Sequence, residues 1–182
     1  MKLVPANSVL VLVDIQERLV AAMSDERERV VKNAAILAEA ADLLEIPVLV
    51  SEQYPRGLGG TVPALAAKLP ESARVVKKVE FDACTNDAFR KALGAIGRSQ
   101  VVLAGMEAHI CVYQTARGLA AAGHEVHVPH DATCSRRLDH REQARGLWSA
   151  VGATPSITET VLFDWLGKAG GDAFKTISKL IR

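Results

Sequence analysis

The amino-acid sequence predicts a three-layer α/β/α fold, with a doubly wound, mostly parallel sheet of six strands in the Rossmann-like order 3-2-1-4-5-6. Three observations support this class. Five short Val-rich runs recur along the chain, segments with helical spacing separate them, and 49% of the 182 residues are apolar. This alternation is typical of parallel strands joined by crossover helices. The length suits one well-buried core, so we expect a single domain over residues 1–182.

The predicted strands and helices follow in chain order. The Val-rich runs occupy residues 9–13, 48–50, 75–76, 101–103 and 126–128, and a short sixth strand is expected near 154–157. Between the first two runs, Val30, Ala34, Leu37, Ala41 and Leu44 recur at helical intervals before Pro47. This stripe predicts an amphipathic helix that covers one face of the sheet.

Capping residues mark the helices of the second half. Asn86 is expected to cap a helix that Gly97 ends, and Gly123 closes the helix that follows Cys111. Further helices are predicted near residues 139–151, 159–166 and 172–181. Residues 51–60 are polar and rich in Gly and Pro, directly after the second strand. Loops at that edge of a sheet commonly form the wall of an active site.

The charge and hydropathy of the chain exclude several classes of partner. The net charge is +1 and the charges are scattered, so we expect no nucleic acid partner. The strongly apolar run near the start, residues 9–13, is too short for a membrane span or a signal peptide. We therefore expect a cytoplasmic protein with no membrane partner.

The cysteines and histidines signal neither disulfides nor metals. Cys84, Cys111 and Cys134 are odd in number and form no C-x-x-C pair, which fits a reducing compartment. Cys84 and Cys134 are interpreted as small buried hydrophobic residues. The chain has five histidines, and none of them has metal-ligand spacing: His109, His124, His127, His130 and His140. We expect no metal and no cofactor.

Three ionisable residues follow predicted strands. Asp14 follows the first run, Lys78 follows the third, and Cys111 follows the fourth at the expected start of a helix. Carboxyl ends of parallel strands meet at one edge of a sheet, so the three side chains are expected to converge. The free N–H groups of a helix start favour a thiolate, with Asp14 as candidate base and Lys78 as candidate cation.

The charge state of this trio is open at this point. Burial would raise the pKa of the Asp14 carboxyl, and the Lys78 ammonium would lower it. Asp14 and Lys78 each also fit a simpler role, since Asp14 could cap a helix and Lys78 could be a solvated surface residue. A phosphoryl-transfer role for Asp14 is disfavoured because Ile15 and Gln16 supply no second carboxylate for magnesium.

Four motifs resemble the isochorismatase-like cysteine hydrolases, a family that includes nicotinamidases and N-carbamoylsarcosine amidases. The motifs are Leu12-Val13-Asp14-Ile15-Gln16, Lys78-Val79-Glu80-Phe81, Gly105-Met106-Glu107-Ala108-His109-Ile110-Cys111-Val112-Tyr113-Gln114-Thr115-Ala116 and Asp131-Ala132-Thr133-Cys134-Ser135-Arg136. Residues 52–59 and 160–163 are most similar to the branch called isochorismatase domain-containing proteins. The resemblance covers nearly the whole chain.

The resemblance implies a reaction and a set of site residues. It implies an Asp14–Lys78–Cys111 triad in which Cys111 attacks a carbonyl, and a thioester that water hydrolyses. It also implies a cis peptide at Met106–Glu107 and an oxyanion hole made by the N–H groups of Glu107 and Cys111. The expected substrate is a small amide, ureide or ester, with C–N bond hydrolysis favoured. The substrate pocket is expected to include Gln53, Tyr54 and Phe81.

The resemblance also bears on metal use and assembly. Nicotinamidases of the family hold a metal with Asp and His residues after the second strand, but residues 51–60 contain no His, so neither a metal nor nicotinamide is expected. Isochorismatases proper use no thiol nucleophile, whereas this chain has Cys111. A homo-oligomer is implied. Four residues are candidates either for its interface or for packing on the chain's own sheet, namely Val161, Leu162, Phe163 and Trp165. The alternative function is a catalytically silent binding or scaffold protein.

Overall fold

Seven strands form one sheet in the computed structural model, which describes residues 2–23 and 26–181 of the chain. In chain order the strands are β1 (Ser8–Val13), β2 (Val48–Gln53), β3 (Arg74–Lys78), β4 (Gln100–Met106), β5 (Glu125–Pro129), β6 (Thr133–Cys134) and β7 (Thr154–Ser156). Every strand pairing of the described sheet is parallel, in the order β3-β2-β1-β4-β5-β7. The predicted order is confirmed, with β7 as the predicted sixth strand.

The extra strand is β6, which pairs with the end of β4 through Gly105 and Met106. Its two residues are too few to show an apolar pattern, so the sequence does not reveal it. β6 continues the sheet beside β4 at the carboxyl edge, where β5 no longer pairs with that strand.

Helices cover both faces of the sheet. In chain order they are α1 (Glu17–Ala21), α2 (Arg27–Leu43), α3 (Pro55–Leu58), α4 (Pro63–Ala66), α5 (Asp87–Ile96), α6 (Tyr113–Ala121), α7 (Leu138–Ala150), α8 (Thr158–Leu166) and α9 (Gly171–Leu180). Apolar side chains of α2, α8 and α9 pack on one face, and those of α5, α6 and α7 pack on the other. This confirms the three predicted layers.

The central strand β1 shows why the sheet is buried on both sides. Val9, Val11 and Val13 belong to the cluster beneath α5, α6 and α7, while Leu10 and Leu12 belong to the cluster beneath α2. Successive side chains of a strand point to opposite faces, so an unbroken apolar run serves two layers at once.

The capping predictions for α5 are confirmed. The Asn86 side chain accepts a hydrogen bond of 3.1 Å from the Phe89 N–H, and Gly97 ends the helix with a left-handed φ of 66°. The short helices α1, α3 and α4 were not predicted, since four or five residues are too few to display a helical period. The irregular segment predicted at 51–60 begins later than expected, because β2 continues to Gln53.

Gly105 permits the close approach of the two central strands at their carboxyl ends. It has a φ of 130°, and a Cβ atom there would lie 2.0 Å from the carbonyl oxygen of Val13. A residue with a side chain would therefore clash with the strand that carries Asp14.

Three of the four C-terminal apolar residues pack on the chain's own sheet, and an interface role for the fourth stays a prediction. Val161, Leu162 and Trp165 are buried in the chain's own core, which is the packing role. Phe163 is 45% exposed and makes an edge contact with Phe174. Within the described residues, no helix has both the length and the apolar character that a membrane span requires.

Candidate active site

Asp14, Lys78 and Cys111 come together at the carboxyl edge of the sheet. Asp14 directly follows β1 with a left-handed φ of 55°, and Lys78 is the last residue of β3. Cys111 lies in a π-helical turn, Ala108–Val112, that leads from β4 into α6. The structure thus brings together the three side chains that the sequence places at strand ends, while their chemical roles remain predictions.

The Lys78 ammonium has a hydrogen-bond acceptor for each of its three protons. Nζ lies 2.7 Å from Asp14 Oδ2, 2.7 Å from Gln53 Oε1 and 3.1 Å from the carbonyl oxygen of Glu80. Neither the Lys78 nor the Asp14 side chain is exposed to solvent. Lys78 is therefore placed to neutralise the Asp14 carboxylate and to fix its position, and no N–H group of the ammonium is left for a substrate.

The Asp14 carboxylate is held at both oxygens. Oδ2 accepts from Lys78, and Oδ1 accepts a hydrogen bond of 2.7 Å from the Ser51 hydroxyl. Burial raises the pKa of Asp14 above its usual range, and this desolvation outweighs the lowering by Lys78 and Ser51. Of the two opposing effects on the Asp14 pKa, burial is therefore larger than the effect of Lys78, and Asp14 is a stronger base than an ordinary aspartate.

The Cys111 thiol is protonated at neutral pH, contrary to the expectation of a thiolate at a helix start. Burial, followed by the nearby Asp14 carboxylate, raises the pKa of Cys111 to about 12 against the smaller lowering by Lys78. The two groups act on each other, since the carboxylate raises the pKa of the thiol and the thiol lowers that of the carboxyl. Because Cys111 is the fourth residue of its turn, it lies away from the helix start, where the dipole effect is strongest.

The segment between β4 and Cys111 is fixed by its own hydrogen bonds. The Met106–Glu107 peptide is cis, as the resemblance implies. The Glu107 carboxylate accepts hydrogen bonds from the Arg136 backbone N–H at 2.9 Å and from its Nε at 3.1 Å. The Glu107 carbonyl accepts from the N–H groups of Ile110 and Val112 at 3.0 and 3.2 Å. An oxyanion hole formed by the Glu107 and Cys111 N–H groups stays a prediction.

The residues predicted to line a substrate pocket occupy three different settings. Tyr54 is 55% exposed and, with Lys78, lines a cavity of about 390 Å³. Phe81 is also 55% exposed. Gln53 instead directs its side chain at Lys78 and at the Val79 carbonyl. Its amide therefore supports the ion pair.

Two polar residues that sequence reasoning missed support the site. Ser51 holds Asp14, and Gln16, which is fully buried, binds the backbone of Gln53 and Gly59. The signal for Gln16 was its place in the motif that also contains Asp14. Ser51 gave none beyond its position after a Val-rich run.

The Glu52 carboxylate is hydrogen-bonded to the segment that follows β2. Glu52 accepts hydrogen bonds from the backbone N–H and the hydroxyl of Thr61, at 2.8 and 2.9 Å.

Over residues 2–23 and 26–181, no group of three or more His, Cys, Asp and Glu side chains is arranged to hold a metal ion.

This parallel sheet with a Cys, an Asp and a Lys at its carboxyl edge has the fold of the isochorismatase-type hydrolases. The family model described as Isochorismatase domain matches residues 8–160. The chain therefore belongs to the isochorismatase family, as the sequence motifs predicted.

Similar proteins support the same assignment. The chain is 34% identical over 180 residues to isochorismatase domain-containing protein 1 of Salmo salar, covering 99% of this chain but 62% of that protein. It thus spans less than two thirds of that relative. The solved MAR1 ribonuclease of Caenorhabditis elegans is 34% identical with a TM-score of 0.93, covering 100% of this chain and 92% of that one. The YcaC protein of Escherichia coli, described as an octameric hydrolase of unknown specificity, is 25% identical with a TM-score of 0.92, covering 99% and 90%.

Proposed function

We propose that this protein hydrolyses a small amide, ureide or ester by nucleophilic catalysis at Cys111, with C–N bonds as the favoured target. The observation that carries the proposal is the buried Asp14–Lys78 ion pair, whose two charges both act on the pKa of the Cys111 thiol. A thiol of high pKa beside a strengthened carboxylate base forms a nucleophile only as its proton is transferred.

The proposed reaction has two halves. Cys111 Sγ attacks the carbonyl carbon while its proton passes to Asp14, and the tetrahedral oxyanion accepts hydrogen bonds from the Glu107 and Cys111 N–H groups. Each such donor typically lowers the barrier by about 3 kcal/mol. The intermediate then collapses to a thioester as Asp14 gives the proton to the leaving nitrogen or oxygen. Water attacks the thioester, Asp14 takes its proton, and the acid leaves as the thiol is restored.

The raised pKa of Asp14 suits both proton transfers. A carboxylate with an ordinary pKa is a weak base for a thiol and, once protonated, a strong acid that loses its proton to water. Burial brings the pKa of Asp14 closer to that of its partners, so the same group can accept and donate within one cycle. Lys78 keeps the charge of the buried carboxylate balanced.

The test is the trapping of an acyl group on Cys111. Wild type and Cys111→Ala are assayed against a panel of primary amides, N-carbamoyl compounds and p-nitrophenyl esters, and the quenched protein is analysed by mass spectrometry. We expect acylation of wild type at Cys111 and no turnover by the variant. Cys84→Ala is the matched control and should keep wild-type turnover. An active Cys111→Ala variant would contradict the proposal.

A catalytically silent binding or scaffold protein is the second candidate. It is favoured by the closed state of the site, since Cys111 is only 6% exposed and its thiol pKa is near 12. The same panel of amides, N-carbamoyl compounds and esters distinguishes the hydrolase from the binding or scaffold protein. Absence of both turnover and acylation for every compound, together with a stable partner in pulldowns, would support this candidate over the hydrolase.

The proposed partner is a small-molecule substrate in the cytoplasm. Support comes from the balanced, scattered charge of the chain and from its three free cysteines. The name of the Caenorhabditis elegans relative includes ribonuclease, so labelled single-stranded RNA belongs in the substrate panel. We expect no RNA cleavage that depends on Cys111.

We also propose a homo-oligomer. The similar YcaC protein is described as octameric, and exposed apolar side chains gather near the site, with Val79 at 68% and Phe81 at 55%. Size-exclusion chromatography with light scattering measures the assembly directly. The double variant Val79→Ser, Phe81→Ser should dissociate the oligomer if this surface forms the interface, and a monomeric wild type would contradict assembly.

A further inference from the structure

The side chain of Gln53 connects the ends of β2 and β3. Its Oε1 accepts a hydrogen bond of 2.7 Å from Lys78 Nζ, and its Nε2 donates one of 2.7 Å to the carbonyl of Val79. The next residue, Tyr54, donates its backbone N–H to the Lys78 carbonyl at 2.8 Å. Both the main chain and the ammonium of Lys78 are thus held from the same short segment.

Gln53 is itself held by Gln16, two residues after Asp14. The Gln16 Oε1 accepts from the Gln53 N–H at 2.7 Å, and Nε2 donates to the carbonyls of Gln53 and Gly59 at 3.0 and 2.7 Å. Gln16 is fully buried, so its amide cannot exchange these partners for water. The contacts close a ring that runs from Asp14 along the chain to Gln16, then to Gln53, Lys78 and back to Asp14.

We propose that Gln53, held in place by Gln16, is a positioning residue that keeps the Lys78 ammonium against Asp14. The inference rests on the proposed function. A lysine ammonium is a point charge on a flexible four-carbon stem, and holding it in one place costs side-chain entropy. Gln53 supplies the neutral acceptor that keeps Nζ from turning away without competing for its charge.

The charge of Asp14 depends on this arrangement. The titratable groups that face Asp14 are Lys78 from the end of β3 and Cys111 from the turn after β4, and Glu107 acts in turn on Cys111. Lys78 opposes the raised pKa of the carboxyl most strongly, and Cys111 lowers that pKa by a smaller amount. A loosened ammonium therefore leaves burial less opposed, and the pKa of Asp14 rises further.

The first variant is Gln53→Met, which keeps the length of the side chain and removes both hydrogen bonds. With p-nitrophenyl acetate as probe, we expect kcat to fall about 10- to 100-fold through misplacement of the triad, with KM within about twofold of wild type. The acid limb of the pH profile should move to higher pH. The rate of alkylation of Cys111 by iodoacetamide, measured across pH by site-resolved mass spectrometry, should shift to higher pH in the same way. This measurement needs no turnover.

Gln100 provides the matched control. Gln100 is a buried glutamine at the start of β4, on the opposite edge of the sheet, and its Nε2 donates to the Lys2 carbonyl and to Glu125 at 2.9 Å each. Gln100→Met should lower the melting temperature and leave the pH profile unchanged. Gln53→Asn, too short to reach both partners, is a second variant should Gln53→Met fold poorly.

The outcomes separate the inference from the proposed function. Gln53 variants with the wild-type alkylation and pH profiles, or with changes no larger than those of Gln100→Met, would overturn the positioning role while leaving the hydrolase intact. A Cys111→Ala variant with wild-type turnover would overturn the hydrolase itself.

Discussion

The ammonium of Lys78 and the carboxylate of Asp14 form an ion pair of 2.7 Å from which solvent is wholly excluded. Removing two charges from water costs several kcal/mol each, and their attraction returns that cost only when the remaining hydrogen bonds are also made. Ser51, Gln53 and the Glu80 carbonyl make them here. Such a pair is a poor source of stability, so its presence at the edge of the sheet points to a functional role.

Breaking the pair from the lysine side should destabilise the protein. Lys78→Met leaves Asp14 buried without its cation, and we expect the free energy of unfolding near neutral pH to fall by about 3–5 kcal/mol. The pKa of Asp14, already raised in the folded state, rises further in this variant, so the unfolded state loses its proton first. Stability is therefore lost as pH rises above the unfolded value of 3.8 and regained as pH falls.

Urea unfolding at pH 5 and pH 8 measures this difference. Lys68→Met is the control, since Lys68 pairs with Glu39 at the surface and should contribute at most about 1 kcal/mol. Equal loss at the two pH values, or equal loss in the two variants, would show that Asp14 is not an uncompensated buried charge.

The raised pKa of Asp14 should set the acid limb of the proposed reaction. In that reaction the ionised carboxylate is the base, so we expect kcat/KM to decline as pH falls through the apparent pKa of the coupled Asp14–Cys111 pair. We expect the midpoint to lie above 3.8, the usual value for an aspartate, because burial raises it. Rate profiles from about pH 3 to pH 9 with p-nitrophenyl acetate provide the measurement. A midpoint at or below 3.8 would mean that Lys78 outweighs burial.

The resting thiols should react in the order of their exposure. Burial raises the pKa of Cys84, Cys111 and Cys134 alike to about 12, so none is a thiolate at neutral pH. Cys84 is half-buried and the other two are buried. Iodoacetamide at pH 7, followed by peptide mass spectrometry, should therefore label Cys84 first. Faster labelling of Cys111 would reveal a thiolate before any substrate binds.

The sequence predicts which functional groups meet, because strand order and strand ends follow from the apolar pattern. Asp14, Lys78 and Cys111 each adjoin the carboxyl end of a Val-rich run, and a parallel sheet brings such positions to one edge. Their protonation could not be predicted in the same way. It depends on how completely the side chains are removed from water, and burial is a property of the packed structure.

The supporting residues were harder to predict for a related reason. Gln53 is predicted to line the substrate pocket, but its contact with Lys78 could not be predicted, because it arises only where the ends of β2 and β3 meet in the folded sheet. The partners of Gln16 lie 37 and 43 positions away along the chain. Hydrogen bonds of this kind are set by the meeting of separate loops, and no local period in the sequence records them.

The indole of Trp148 links α7 to the turn that carries Cys111. Trp148 is fully buried in α7, and its Nε1 donates a hydrogen bond of 3.1 Å to the carbonyl of Ala108. Trp148→Phe leaves that buried carbonyl without its donor, and we expect the free energy of unfolding to fall by about 1–3 kcal/mol. Because Ala108 begins the turn that holds Cys111, acylation by p-nitrophenyl acetate should slow as well.

Trp165→Phe is the matched control for this effect. The Trp165 indole is also buried and donates a hydrogen bond of 3.0 Å to the Ser8 hydroxyl, at the start of β1 and away from the site. Urea unfolding should show a similar loss of stability in both variants, and stopped-flow acylation should slow only in Trp148→Phe. Equal acylation rates at equal stability would mean that the Trp148 hydrogen bond stabilises the fold without positioning the nucleophile.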